Sequence, residues 1–313
     1  MVGNMDQEYV GNIGRRPVWG GEEFFGITAA DRRQHVYIIG KTGTGKTTLL
    51  RNLLAQDIEA GHGVGLIDPH GDLAHELLDY IPPRRADDVV YFNPADHDYP
   101  IGFNLLQNVP TEGRYRVASG IVSIFRAIWP DSWGPRTEYI LYAAVAALLE
   151  CQNVSVLGIT RMLIDDEYRR WVLKQVNEPM VRSFWINEFD NYEKRFRQEA
   201  IAPIQNKVGQ LLMSAPVRNI LGQVKRKIDS RFMMDDRRIF IANLSKGLIG
   251  EDKANLLGSV LLTSFQLAAM ERANIPESER RDFFRSRSLQ YSHLRLALGV
   301  RRWYKMEHGT QLH

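Results

Sequence analysis

Cysteine is almost absent from this chain. Cys151 is the only one in 313 residues, which excludes disulfide frameworks and paired-cysteine metal sites and suits a reducing cytoplasm. Long apolar runs are missing as well. The most apolar stretches, Ile140 to Leu149 and Val260 to Met270, fall short of the ~20 residues a membrane helix requires. Met1 to Gly21 has no apolar signal-peptide core, so no integral membrane segment is expected. Charge of one sign is also lacking: 40 Lys and Arg face 37 Asp and Glu, a formal +3. Arg285 to His313 holds six Lys or Arg against one acid, so the remainder is slightly acidic and global charge gives little support to nucleic-acid binding. No internal repeat or low-complexity tract occurs. With 44% hydrophobic and 25% charged residues, the chain can bury a full core and reads as one or two globular domains.

Residues 1–31 are rich in glycine and polar groups with no sustained period, and read as an entry segment with little regular structure. Val36 to Ile39 is a short β-branched run that stops at glycine, and Thr47 to Ala60 follows with Leu49, Leu50, Leu53, Leu54 and Ile58 at helical spacing. Val64 to Ile67 and Val89 to Phe92 are further strand signals, with a helix lined by Leu73, Leu77 and Leu78 between them. Strand, helix, strand, helix, strand at this spacing predicts a parallel α/β sheet. From about Arg114 to Val224 the apolar spacing turns helical and strand signals nearly vanish, which reads as an all-α insertion. The strand pattern returns at Arg238 to Leu244, and an amphipathic helix follows over about Asp252 to Arg272. The expected division is 1–31 entry segment, 32–113 with 225–284 as the α/β domain, 114–224 as the all-α insertion, and 285–313 as a basic divergent tail.

Gly40-Lys41-Thr42-Gly43-Thr44-Gly45-Lys46-Thr47 fits the phosphate-loop pattern GxxxxGK[ST]. Glycines at 40, 43 and 45 let successive N–H groups converge on phosphates, and the helix begun at Lys46 adds its positive end. Lys46 is placed to reach the β and γ phosphates, the Thr47 hydroxyl to ligate magnesium, and Thr48 to line the same site. ATP with Mg2+ is the expected ligand. The competing reading, a plain glycine turn before a helix, fails to explain why a β-branched run precedes it and an amphipathic helix follows.

Asp68 and Asp72 lie just beyond the second strand, where ligands of open α/β sheets bind. One of these carboxylates is a candidate to polarise an attacking water or to hold magnesium through a water. The alternative for Asp72 is an N-cap or first-turn acid, and for Asp68 the start of a turn. His70 between them is a lone turn histidine. Asp68-Pro69-His70-Gly71 also matches the DxxG element of GTPases, but Asn206-Lys207 is followed by Val208-Gly209, so the guanine-reading element is missing. A second magnesium-side carboxylate normally follows a strand as hhhhD[DE]. Val64 to Asp68, Met162 to Glu167 and Met233 to Asp236 imitate that pattern, and the last two read as solvated helix or loop acids. Arg195, Arg197 and Arg218 are candidate arginine fingers, against the commoner role of solvating a helix face.

Joined to Leu66-Ile67-Asp68-Pro69-His70-Gly71-Asp72, Tyr91-Phe92-Asn93-Pro94, Ala202-Pro203-Ile204-Gln205-Asn206-Lys207 and Asn243-Leu244-Ser245-Lys246-Gly247, the phosphate loop resembles a known group. The chain is similar, from about Phe25 to Phe284, to the ATPase domain of type IV secretion and conjugative DNA-transfer proteins. These are the TraG/TraD coupling proteins, in the HerA/FtsK branch of RecA-like P-loop motors. The resemblance implies a RecA-like parallel sheet with an all-α insertion and a ring, usually a hexamer, that moves DNA without regard to sequence. It also implies work in the cytoplasm, peripheral to the bacterial inner membrane beside secretion components. It matches the catalytic carboxylate best to Asp72 and next to Asp68, where many relatives carry Glu. The family continues past the equivalent of Phe284 into an apolar strand closing with Asp-Glu. Here Arg285-Ser286-Arg287-Ser288-Leu289 stands instead, like a truncated or frame-shifted ending, and the sheet is expected to lose that strand. Two functions follow: an ATP-driven DNA translocase subunit, or a hydrolysis-deficient nucleotide-binding fragment that acts as an interaction partner.

Overall fold

The computed structural model describes residues 10–33, 35–276, 279–281 and 283–287. Two compact units emerge. Of the described residues, the first takes in those up to Asn93, Asp229–Gly247 and those from 268 to 287; the second takes in Pro94–Ile228 and Leu248–Leu267.

The first unit opens with an antiparallel hairpin of β1 (Val10–Val18) and β2 (Gly21–Thr28), with an irregularity of register between Asn12 and Gly14. This overturns the expectation of little regular structure before Asp31. Trp19-Gly20 turns the chain, with Gly20 at φ 95, a left-handed value that glycine adopts at no steric cost. A short helix α1 (Ala29–Arg33) and the longer α2 (Lys46–Glu59) follow, then β3 (Gly63–Asp68), α3 (Asp72–Glu76) and β4 (Val89–Phe92).

β3 is buried at every position, the pattern of a central parallel strand covered on both faces. It pairs in parallel with β5 (Ile239–Asn243), which pairs in parallel with β4. Val64 stands opposite Ile239 and Leu66 opposite Ile241. These alternate residues form a core with Leu54 and Ile58 of α2 and with Leu73, Ala74 and Leu77 beyond β3. The two-residue period of the strands thus meets the 3.6-residue period of the helix on one face.

On its other side β3 pairs in parallel with β6 (Phe283–Arg287), giving the order β4-β5-β3-β6. The strand expected to be lost is therefore present as backbone. A parallel ladder is made from main-chain groups, which the composition Phe-Phe-Arg-Ser-Arg does not forbid, and Gly63 allows Phe283 to lie close: a Cβ there would stand 2.7 Å from its ring. Conversely, the run Val36 to Ile39 is not a strand. Residues 35–41 have no regular structure, and Val36, Tyr37 and Ile39 are exposed. β-branched composition favours a pleated, half-buried surface only where a neighbouring strand supplies one. The rest of the tail, 288–313, lies outside the described residues.

The second unit is helical: α4 (Arg114–Ile128), α5 (Pro135–Leu149), α6 (Leu157–Ile164), α7 (Asp166–Leu173), α8 (Pro179–Ser183), α9 (Lys194–Met213) and α10 (Ala215–Leu221). After α11 (Ser230–Asp235) and α12 (Lys246–Ile249), α13 (Glu251–Glu271) contributes its residues up to Leu267. Asn104, fully buried, donates to the carbonyls of Val154 and Val224 at 2.7 Å each and accepts from the Leu106 amide at 3.0 Å, stapling three loops. Cys151 is buried, and burial, with Glu150 nearby, pushes its thiol up to about 12. No helix among the described residues is long and apolar enough to cross a membrane.

Candidate functional site

The phosphate loop sits at the open N-terminal end of α2. Gly43 (φ 82) and Gly45 (φ 86) are both left-handed, the conformation in which a side chain would be strained. At Gly40 a Cβ would lie 2.5 Å from the Thr44 hydroxyl, so glycine is needed there for closeness. Thr44 closes the turn by donating its hydroxyl to the Lys41 carbonyl at 2.8 Å, with its amide 3.3 Å from the same oxygen. Gly45 gives the helix no side-chain cap, which leaves the first N–H groups of α2 available to an anion. Lys41, Thr42, Thr47 and Thr48 are exposed around it.

Lys46 Nζ donates to the Gly40 and Lys41 carbonyls at 2.7 and 2.6 Å. The ammonium is folded over the loop it belongs to, and its bonds to neutral carbonyls are weaker than an ammonium–phosphate pair, in which both partners are charged. A bound triphosphate would draw the ammonium off these carbonyls. Free glycine geometry, an uncapped helix end and one lysine at the rim are the donor set a triphosphate requires, so the residues present fit it.

Asp68 and Asp72 part company in the structure. Asp68 closes β3 and is 2% exposed; its Oδ1 accepts from the His70 amide and its Oδ2 from the Ala74 amide, both at 3.0 Å. Each oxygen thus accepts one backbone N–H, one from the turn and one from the first turn of α3, the folding role of a buried capping acid. Asp72 is exposed at the start of α3, directly after Gly71 (φ 93). The backbone from Asp68 to Asp72 is tied to the loop after β5: the Leu244 amide donates to the Asp68 carbonyl at 2.8 Å, and the Lys246 amide to the Pro69 carbonyl at 3.1 Å. Asn243 is the polar hub of this junction, donating to the Tyr91 hydroxyl at 2.8 Å and accepting from the Ser245 amide at 3.2 Å. The sequence pattern flagged it only as part of a string, because an asparagine at a strand end carries no periodic signal. On the other side, α2 meets α3 through Arg51, which pairs with Glu76 at 3.2 Å.

The remaining candidates have structural employment. Asp165 caps α7 by accepting from the Tyr168 amide, and that bond together with Arg161 holds its carboxyl below the usual range. Asp235 pairs with Arg231 and, at 2.9 Å, with Arg272. Arg195 pairs with Glu199 one helical turn on, Arg197 donates to the Asp190 carbonyl, and Arg218 to the Leu212 carbonyl. Along β6, Arg285, Ser286 and Arg287 stand level with Gly65, Leu66 and Ile67, so none of the described residues of that neighbouring strand carries a carboxylate. Among the described residues no group of three or more His, Cys, Asp or Glu is placed to hold a metal ion. A magnesium ion here would rest on Thr47 and on the phosphates it accompanies.

A family model described as helicase HerA, central domain, matches residues 28–265. No curated protein matches the chain.

Proposed function

Since that match spans well over half of its length, the chain belongs to the family of the helicase HerA central domain, and we propose that it binds ATP with magnesium at Gly40 to Thr48. Family and fold together make it a HerA/FtsK-type P-loop ATPase with a mixed α/β domain. The single observation that carries the ligand assignment is the glycine loop at the uncapped end of α2, with Lys46 poised on two carbonyls at 2.6 and 2.7 Å.

In this reading the amides of residues 43–48 bind the phosphates, Lys46 neutralises the β and γ oxygens, and Thr47 holds the magnesium. Magnesium supplies electrostatic stabilisation of the charge on the transferring phosphoryl group. Asp72, exposed beyond β3, orients the attacking water, while Asp68 holds the loop that carries Asp72. The active form is a RecA-like ring, and its substrate is DNA taken without sequence preference, in a conjugative or secretion system at the inner membrane. What supports this finer part is the resemblance to the TraG/TraD proteins carried by the Asp68–Asp72 and Asn243–Gly247 strings.

A second reading, nucleotide binding with little turnover, is favoured by β6. Its exit carries Arg285-Ser286-Arg287 where the family resemblance calls for paired acids, and loss of one preorganised charge-stabilising group costs ~10²–10³ in rate. Calorimetry with ATP and magnesium tests the first reading: Lys46→Ala should abolish binding, and equal affinity for both proteins would remove the assignment. Steady-state turnover with and without duplex DNA separates the two readings. Robust DNA-stimulated hydrolysis lost in Lys46→Ala establishes the motor, whereas binding without turnover establishes the second.

A further inference from the structure

The loop that would hold phosphate is oddly supported. From His35 to Gly45 every residue except the half-buried Ile38 is exposed, and residues 35–41 have no regular structure. The loop therefore takes its orientation from α2 on one side and from whatever fixes the chain upstream on the other. Among the described residues, the buried ion pair nearest upstream of the loop belongs to Arg32. Its two terminal nitrogens donate to the two oxygens of Asp57 at 2.5 and 2.6 Å, a fork-on-fork pair with side chains 7% and 0% exposed. Asp57 lies near the far end of α2, the helix that the phosphate loop begins.

We infer that the Arg32–Asp57 pair is a positioning device for the phosphate loop, closing residues 32–57 into a non-covalent ring. The geometry is feasible: Lys46 to Asp57 covers about 17 Å of helix. The eight steps from Arg32 to Gly40 reach at most about 27 Å, so this tether runs back along α2 with limited slack. The same end of α2 is gripped twice more. Gln56 exchanges two hydrogen bonds with the Asn12 backbone, at 2.9 and 3.0 Å, where the β1 register is irregular, and Gly11 leaves room for Leu53, 3.1 Å from where its Cβ would be. A buried ion pair adds little net stability compared with apolar residues of similar size, because desolvation offsets the attraction. Its use is to fix one geometry. The amides around Gly43 and Gly45 must converge on phosphate, and a tether that narrows their wandering lowers the ordering cost of binding.

This inference rests on the nucleotide-site reading, and the test separates the two. Wild type, Lys46→Ala, the double variant Arg32→Leu/Asp57→Leu and Arg32→Lys are compared in the full chain. Calorimetry reads ATP·Mg affinity, and amide hydrogen exchange without nucleotide reads residues 35–45 against β3 and β5. The double variant replaces the pair by apolar groups, so it should keep wild-type exchange in β3 and β5, exchange faster over 35–45, and bind ATP about tenfold more weakly. Arg32→Lys keeps the charge Asp57 needs but loses the fork, so it gives the same result at about threefold, and it stands as the test if the double variant does not fold. Wild-type affinity and wild-type exchange over 35–45 in a folded variant, with binding still lost in Lys46→Ala, would overturn the inference alone. Retained binding in Lys46→Ala would remove the nucleotide reading, and exchange over 35–45 would then decide the tether by itself.

Discussion

Asp68 offers the sharpest test of how this site is built, because its two candidate roles predict different phenotypes. Its carboxylate is 2% exposed, and each oxygen accepts one backbone N–H at 3.0 Å, from His70 and from Ala74. Asp68→Ala leaves both amides without their acceptor at a buried strand end. Each bond to a charged acceptor contributes ~1.5–3 kcal/mol, and a lost cap costs ~1 kcal/mol. With partial relaxation and water entry, a loss of roughly 3 kcal/mol is expected. For a domain of this size that is a fall of roughly 5–10 °C in melting temperature. Asp68→Asn retains one acceptor oxygen but turns an NH₂ group on the other amide, so it should lose ~2 kcal/mol. Thermal melting followed by circular dichroism, together with ATP affinity measured well below the transition, reads both effects. Damaged stability with nucleotide affinity within a few-fold of wild type is the expected outcome. Unchanged melting in Asp68→Ala, with turnover selectively lost, would refute the capping role and return Asp68 to the list of catalytic bases.

Gly71 combines φ 93 with a Cβ position only 2.5 Å from Asn243 Oδ1, so Gly71→Ala should destabilise the β3–β5 junction by ~1–3 kcal/mol, measured by urea unfolding. Asp72→Asn, at an exposed first-turn position, should leave melting within ~0.5 kcal/mol of wild type while lowering any ATP turnover; turnover unaffected would remove Asp72 from the mechanism. The Cys151 thiol, held near 12 by burial, should resist alkylation at pH 8 in the folded chain and react only on unfolding. Because its folded value lies above the unfolded one, near 9, its contribution to stability is complete below pH 9 and is lost as pH rises toward 12. Unfolding titrations in Cys151→Ser should lose that alkaline component.

How far the sequence foretold this structure depends on what each element asks of its residues. β3, β5 and α2 were legible because burial writes itself as a period: Val64 and Leu66 alternate opposite Ile239 and Ile241, and Leu54 and Ile58 return every helical turn to the same core. The phosphate loop was legible because its backbone tolerates only glycine at 40, 43 and 45. The hairpin was not, because its outer half is exposed on both faces, with Arg15 and Arg16 answered across the strands by Glu22 and Glu23; no face is buried, so no two-residue alternation is imposed. β6 escaped because a parallel ladder is built from main-chain groups, and Val36 to Ile39 misled because strand propensity cannot supply a neighbour.

The Arg32–Asp57 pair shows the same limit from the other side. In sequence Asp57 looks like one more acid on an amphipathic helix, and nothing local distinguishes it from Glu59, which is exposed two residues on. Only the fold brings a guanidinium from 25 positions earlier onto both of its oxygens. Periodicity reports which residues avoid water, and it is silent on which charged residues are removed from water together. At such places the motif tells what the loop can bind, and the buried partners around it decide how well the loop is held to do so.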